Sequence, residues 1–329
     1  MTEPLLRVRS LTKVFRTGTR ASHRAVDDVS FDLYTGETLG LVGESGSGKS
    51  TTARCIMRLI KPTSGEVTLD GVDVLGASRR ELRDVRRGVQ MVFQDPYSSL
   101  DPRMKVRDIV AEGMRINRIA ASAAEERARV AELLELVGLR PDHLDRRPAS
   151  FSGGERQRIG IARALAVNPR LLICDEPIAS LDVSIQAQVL NLFTDLRREL
   201  GLSILFIAHD LATVRFLCDR IAVMENGRLV EIGDRSEIYG DPQHPYTRAL
   251  IDAAPEPSPE HERAKREDRL RRRRNGDEAA AEASGPAEVA APASEMDQPG
   301  AHSTAHTTTT QQSSRPPAVT WLRSIKERQ

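Results

Sequence analysis

The run Gly43-Glu44-Ser45-Gly46-Ser47-Gly48-Lys49-Ser50 meets every fixed position of the G-x-x-x-x-G-K-[ST] phosphate loop. Residues without a Cβ let successive backbone N–H groups curl around an anion, so the amides of this loop are the grip. The helix that follows begins at the loop, and its unpaired N–H groups and positive dipole end point at the same phosphates. In this pattern Lys49 reaches the β and γ phosphates, and the Ser50 hydroxyl coordinates Mg²⁺, which neutralises charge during phosphoryl transfer. The chemistry implied is the binding and cleavage of a nucleoside triphosphate.

Leu171-Leu172-Ile173-Cys174-Asp175-Glu176 brings two carboxylates to the carboxyl end of an apolar strand, the edge of an open α/β sheet at which a phosphate loop also lies. Asp175 suits the Mg²⁺ shell, and Glu176 would face the γ phosphate and orient or deprotonate the attacking water. An acidic pair ending a strand is often only a solvated turn, but Lys49 and Ser50 in the same chain favour catalysis. Ser152-Gly153-Gly154-Glu155 opens a helical run through Ile159, Ile161, Ala162 and Leu165, with Ser152 at the N-cap. Besides capping that helix it forms a second anion cradle. One nucleotide does not need two cradles so far apart in sequence, which fits if the second serves another subunit's nucleotide.

The elements that must position these groups follow from periodicity. Leu39 to Val42 reads as a short buried strand before the loop, and Thr51 to Ile60 as a helix with Ile56, Leu59 and Ile60 on one face. Leu6-Arg7-Val8 and Val29 to Leu33 are short β-type runs around a polar loop near Gly18 to His23, and Glu66 to Gly71 adds a strand, together a small antiparallel sheet. Val89 to Phe93, Leu171 to Cys174, Ser203 to Ile207 and Arg220 to Met224 are apolar strands, and helical stretches separate the last three, the pattern of a parallel sheet. Val130, Leu133, Leu134 and Val137 mark a helix that Gly138 stops. Asn226-Gly227 is a hairpin turn into Arg228 to Ile232.

The chain has 329 residues and a formal charge of +1, from 48 basic and 47 acidic residues, so no general field draws it to nucleic acid or anionic lipid. Cys55, Cys174 and Cys218 are too dispersed for a disulfide framework or a zinc site and fit a reducing cytosol. No apolar run approaches the length of a membrane span, so membrane association requires another polypeptide. After Ala254 the composition turns to Pro, Ala, Glu, Ser and Thr, with Arg271 to Arg274 and Thr307 to Thr310 in runs and Trp321 near the end. That composition predicts a disordered tail over 256–329.

Gly43 to Ser50, Gln94, Ser152 to Glu155, Cys174-Asp175-Glu176, Ser180-Leu181-Asp182 and His209, in this order, resemble the ATP-binding-cassette ATPases over about residues 5–255. The resemblance implies an α/β fold: a RecA-like, mostly parallel sheet core, an N-terminal antiparallel β subdomain and a helical subdomain inserted at about 98–165. It also implies a head-to-tail dimer in which each ATP lies between the phosphate loop of one subunit and Ser152-Gly153-Gly154-Glu155 of the other. By the same resemblance Gln94 contacts metal and water, His209 touches the γ phosphate, Phe15 stacks on adenine, and Asp182 belongs to a loop that communicates across the dimer.

Phe93 to Met104, Leu181 to Gln188 and Asp241 to Leu250 resemble the oligopeptide and dipeptide importer ATPases, the last stretch lying in a C-terminal extension of about 238–255. The likeness is greatest to the second ATPase of peptide permeases. It implies an ATPase on the cytoplasmic face of the membrane, with a second ATPase subunit and membrane-spanning permease subunits as partners. An extracytoplasmic solute-binding protein would act with it indirectly, and no nucleic acid is involved. Three departures stand out. Glu155 replaces a common glutamine and should still cap its helix, Ala179-Ser180 reverses a common order, and no cysteine follows Cys218, which argues against an iron–sulfur role. A soluble cassette ATPase of translation or DNA maintenance is the other reading. Such proteins usually carry two cassettes or a long coiled-coil insertion, whereas this chain has one phosphate loop and only about 125 positions from Ser50 to Asp175.

Overall fold

The computed structural model describes residues 3–17 and 21–253. Strands β1 (Leu6–Thr17) and β2 (Ala21–Leu33) form a long antiparallel hairpin. Strand β2 takes up Ala21 to His23 of the polar positions expected to form a loop, the rest of which lie outside the described residues, because backbone pairing such as Phe15 with His23 and Arg16 with Ser22 does not depend on apolar side chains. Leu6, Val8 and Leu11 are all fully buried although their spacing breaks the two-residue period. A register shift between Val8 and Leu11, with Ser10 at φ 47°, supplies the extra residue that returns Leu11 to the inner face.

Next come β3 (Thr38–Val42), α1 (Lys49–Ile56), β4 (Ser64–Leu69), β5 (Val72–Asp73), α2 (Arg79–Gly88) and β6 (Val89–Val92). Helix α1 is shorter than expected. Arg58 turns to φ 50°, where its guanidinium donates to the Ala77 carbonyl at 2.6 Å, and Pro62 lies ahead. Leu59 is therefore 49% exposed and does not share a helical face with Ile56.

Helices α3 (Pro96–Ser99), α4 (Val106–Ile116), α5 (Ala123–Leu136) and α6 (Gly153–Leu165) fill the stretch between β6 and β7 (Leu171–Asp175). Gly138 ends the turn after α5 at φ 74°, where an L side chain would be strained. The chain continues through α7 (Val183–Leu200), β8 (Ser203–Ala208), α8 (Leu211–Leu217), β9 (Arg220–Glu225), β10 (Arg228–Asp234), α9 (Arg235–Gly240) and α10 (Pro245–Ala253).

Two sheets result, ordered β2-β1-β4-β5 and β10-β9-β3-β8-β7-β6. The first is antiparallel; the second is parallel except for the β9–β10 hairpin. Alternation along the parallel strands divides their side chains between two cores. Leu39, Leu41, Leu171, Ile173, Leu205 and Ile207 pack toward the antiparallel sheet and α1. Leu172, Cys174, Ile204 and Phe206 pack toward the helices. Both faces are covered, which is why these strands are apolar throughout. The tail reading, with its arginine run and Trp321, lies outside the described residues.

Phe193 of α7 meets Phe206 of β8 edge to face, centroids 5.8 Å apart, both fully buried. Phe193→Ala should lower stability by about 3–5 kcal/mol, seen as a lower denaturant midpoint by circular dichroism.

Candidate functional site

Four adjacent parallel strands, in the order β3-β8-β7-β6, end at one edge of the sheet. Val42 pairs with Ala208, Ile207 with Asp175, and Cys174 with Val92, so the strand tips are level. The next residues are therefore the phosphate loop after β3, His209 after β8, Asp175 and Glu176 at the end of β7, and Gln94 two residues past β6. Groups spread over more than 160 positions of sequence share one edge because the strands run the same way.

The loop folds back on itself around Lys49. This ammonium is 3% exposed; it donates to the Gly43 carbonyl at 2.7 Å and the Glu44 carbonyl at 2.8 Å, with the Ser47 hydroxyl at 3.4 Å. Burial pushes its pKa below the ordinary lysine value, while the charges of Glu176 and Asp175 act in the opposite direction. Glu176 Oε1 is 4.0 Å from Nζ. Gly46 and Gly48 have φ of 83° and 102°, and a Cβ on Gly48 would lie 2.2 Å from the Ala25 carbonyl oxygen. The Ser47 carbonyl accepts the Gly227 N–H at 3.0 Å, so the β9–β10 turn braces the loop. Ser45 is exposed, whereas Ser47 is nearly buried. Gly48 is the N-cap of α1 and supplies no side-chain acceptor, so the first helical amides, at Lys49, Ser50 and Thr51, are left for an anion.

The Ser50 hydroxyl donates to Asp175 Oδ1 at 2.6 Å, and Arg54 stands 3.8 Å from Oδ2 of this buried carboxylate. Hydroxyl, carboxylate and nearby amide oxygens are a hard, all-oxygen donor set of the kind that takes Mg²⁺ with phosphate oxygens completing the shell. Glu176 Oε2 accepts the Gln94 side-chain amide at 2.9 Å. The Glu176 backbone sits at φ 46° and its N–H donates to Ile207 O at 3.1 Å, so β8 holds the residue in a strained conformation that aims its carboxylate. His209 is 53% exposed, with Nε2 3.6 Å from Asp210, whose carboxylate caps α8 through the Thr213 N–H. Phe15 is 37% exposed near the end of β1, with Lys13 Nζ 4.9 Å from its ring centre.

The second cradle stands apart. Among the described residues no hydrogen bond or ion pair joins Ser152–Glu155 to the phosphate loop. Ser152 and Glu155 form a capping box: the Ser152 hydroxyl accepts the Glu155 N–H at 3.3 Å, and Glu155 Oε2 accepts the Ser152 N–H at 2.9 Å. The Ser152 N–H first, and then the Ser152 hydroxyl, which also donates to Oε2 at 2.9 Å, hold the Glu155 carboxyl below its ordinary pKa. Gly153 and Gly154 keep the helix start close to α7; a Cβ on Gly154 would lie 2.4 Å from Ile185 Cγ2.

Three groups of contacts were not visible in the motifs. Helix α6 holds the Gln94 segment in place: Gln157 donates to the Phe93 carbonyl at 3.4 Å, Arg163 to the Ser99 carbonyl at 2.5 Å, and the Arg156 guanidinium lies 4.1 Å from the Tyr97 ring centre. The second cradle and Gln94 are thus carried by one rigid element. Gly227 braces the loop although its sequence signal is only a hairpin turn. Tyr246 accepts the Glu44 N–H, 202 positions away.

The sequence matches the ABC transporter family over residues 26–179 and the oligopeptide/dipeptide transporter C-terminal region over residues 230–279. It is 56% identical over 264 residues to the oligopeptide transport ATP-binding protein OppF of Bacillus subtilis, covering 80% of this chain and 86% of that protein. It is 51% identical to the dipeptide transport ATP-binding protein DppF of Lactococcus lactis, covering 80% of this chain and 86% of that one. Among solved structures it resembles a dimeric ATP-binding cassette in a post-hydrolysis state bound to ADP and Pi. That likeness has a TM-score of 0.64 and 31% identity, and covers 70% of this chain and 98% of that one.

Gly48→Ala combines an unfavourable φ with a backbone clash. It should weaken ATP binding at least tenfold in a calorimetric titration, with little change in circular dichroism.

Proposed function

Because this chain belongs to the ABC transporter family, as an ATP-binding subunit of the oligopeptide and dipeptide type, we propose that it is the ATP-hydrolysing motor of a peptide importer. The observation that carries this reading is the row of level strand tips, which sets Lys49, Ser50, Asp175, Glu176 and Gln94 around one phosphate cradle. The loop amides and the remaining N–H of Lys49 hold the β and γ phosphates. Glu176, oriented by the Gln94 amide, accepts a proton from the attacking water as the terminal phosphate leaves. Ser50, Asp175 and Gln94 would hold Mg²⁺, which when bound would neutralise charge on the phosphate oxygens. His209, at the tip of β8, contacts the γ phosphate, and Phe15 offers its exposed ring to adenine. The region 1–255 acts as one cassette, with the helices of about 98–165 as its moving part and the stretch of about 238–255 as its extension.

Ser152-Gly153-Gly154 serves the nucleotide of a facing subunit, identical or homologous, whose own cradle serves in return. Support comes from a Gly-Gly helix start that, among the described residues, has no hydrogen bond or ion pair to the loop of its own chain, and from the dimeric cassette to which the fold is similar. No helix among the described residues is long and apolar enough to cross a membrane, so the solute's path lies in other chains.

Those permease subunits bind in a cleft of about 630 Å³ whose lining includes Leu59, Arg83, Arg86, Phe93 and Ile116. Its apolar floor is open, with Ile116 64% exposed, and Phe93 adjoins Gln94, so a helix seated there senses the site directly. On this reading the protein works at the cytoplasmic face of the membrane, with the solute-binding protein acting through the permease.

Glu176→Gln keeps the hydrogen bond but not the base. ATP binding should persist while turnover in a phosphate-release assay falls about 10²- to 10⁴-fold; undiminished hydrolysis would defeat the assignment. Permease subunits should co-purify with the chain, and recovery with ribosomes in their place would contradict the transport role.

A further inference from the structure

Among the described residues, the C-terminal extension touches the phosphate loop at a single polar contact. Tyr246, the second residue of α10, accepts the Glu44 N–H on its hydroxyl at 3.0 Å. That N–H belongs to the peptide whose carbonyl is Gly43 O, and Gly43 O is the acceptor that Lys49 holds at 2.7 Å. One peptide plane is therefore gripped from opposite sides, by the phenol through its N–H and by the ammonium through its C=O.

This plane needs holding. It turns about ψ of Gly43 and φ of Glu44, and a glycine leaves the first rotation nearly free. Gly43 sits at φ 151°, and a Cβ there would fall 2.1 Å from Met224 O, so no bulkier residue is available to stiffen it. Lys49 has three N–H groups; the carbonyls of Gly43 and Glu44 take two of them, and the third makes only the long 3.4 Å contact with the Ser47 hydroxyl. Any rotation of the plane redirects the third, the one left for phosphate.

Tyr246 is itself anchored. The Glu231 carboxylate of β10 accepts the N–H groups of Gln243 at 2.8 Å and His244 at 3.1 Å just before α10, and Arg248 donates to the Pro242 carbonyl at 2.8 Å. The ring packs at the edge of the helical core. Burial raises the phenol's pKa above its ordinary value, so the oxygen remains a neutral acceptor.

We propose that Tyr246 is a positioning residue of the phosphate loop: it fixes the Gly43–Glu44 peptide, that peptide aims Lys49, and the extension thereby becomes a working part of the nucleotide site. This rests on the reading of Gly43–Ser50 as a triphosphate site. It gives the match over residues 230–279 a physical task on this chain, since Glu231 and Tyr246 both fall within it.

Tyr246→Phe, made in the full chain, keeps the ring and removes only the acceptor. Three measurements follow: Glu44 amide hydrogen exchange by NMR without nucleotide, the dissociation constant for ATP by calorimetry, and the thermal midpoint. Exchange at Glu44 should quicken, and the ATP dissociation constant should rise about 2- to 10-fold, the reach of one neutral hydrogen bond. The thermal midpoint should stay within about 2 °C, because one hydrogen bond at the edge of a domain this large shifts it little. A variant that binds ATP as tightly as a binding-competent wild type overturns the proposal. A wild type that binds no ATP instead overturns the triphosphate reading beneath it.

Discussion

A buried positive charge with no carboxylate in direct hydrogen-bond contact organises this molecule. The Lys49 ammonium is compensated mainly by carbonyl oxygens of its own loop, with Glu176 at 4.0 Å. Such a charge is costly to desolvate unless its donors are met, so the backbone must turn carbonyls inward and leave amides outward. Glycines at positive φ allow that inversion here; Gly46 stands in open space, but two of them lie against another element, Gly48 against Ala25 of β2 and Gly43 against Met224 of β9. The loop is consequently shaped by the antiparallel hairpin, the β9–β10 turn and α10, as well as by its own residues.

The same economy governs the carboxylates. Asp175 is buried with a serine hydroxyl on one oxygen, and Glu176 is held at a strained backbone angle by the neighbouring strand. Strain of this kind persists only where surrounding structure over-determines it, and a five-residue buried strand between two parallel neighbours does so. The fold itself thus fixes these groups, in keeping with catalysis by fixed dipoles and charges that need little reorganisation.

Helix α6 joins the two halves of the chemistry. Its first turn presents the outward cradle, and Arg156, Gln157 and Arg163 hold the segment that bears Gln94. The Gln94 contact with Glu176, the cradle at the start of α6 and the cleft beside Phe93 are thereby linked by one packed helix with contacts at both ends.

Much of this was legible in the residues themselves. Apolar strands, the stop at Gly138, the Ser152 cap and the phosphate loop depend on short-range patterns, because period, φ preference and capping are set within a few positions. The early end of α1 and the bulge at Ser10 were not legible, since each depends on a distant acceptor or on parity against a partner strand. What the sequence alone determined is the inventory: a glycine loop able to bare its amides, two acids behind a buried strand, and a second cradle. Tertiary structure alone decided who meets whom. Level parallel strands brought Gln94 to Glu176 across 82 positions, and the extension folded Tyr246 onto Glu44 across 202, because hydrogen-bond partners far apart in the chain are chosen by strand register and packing, which no local pattern encodes.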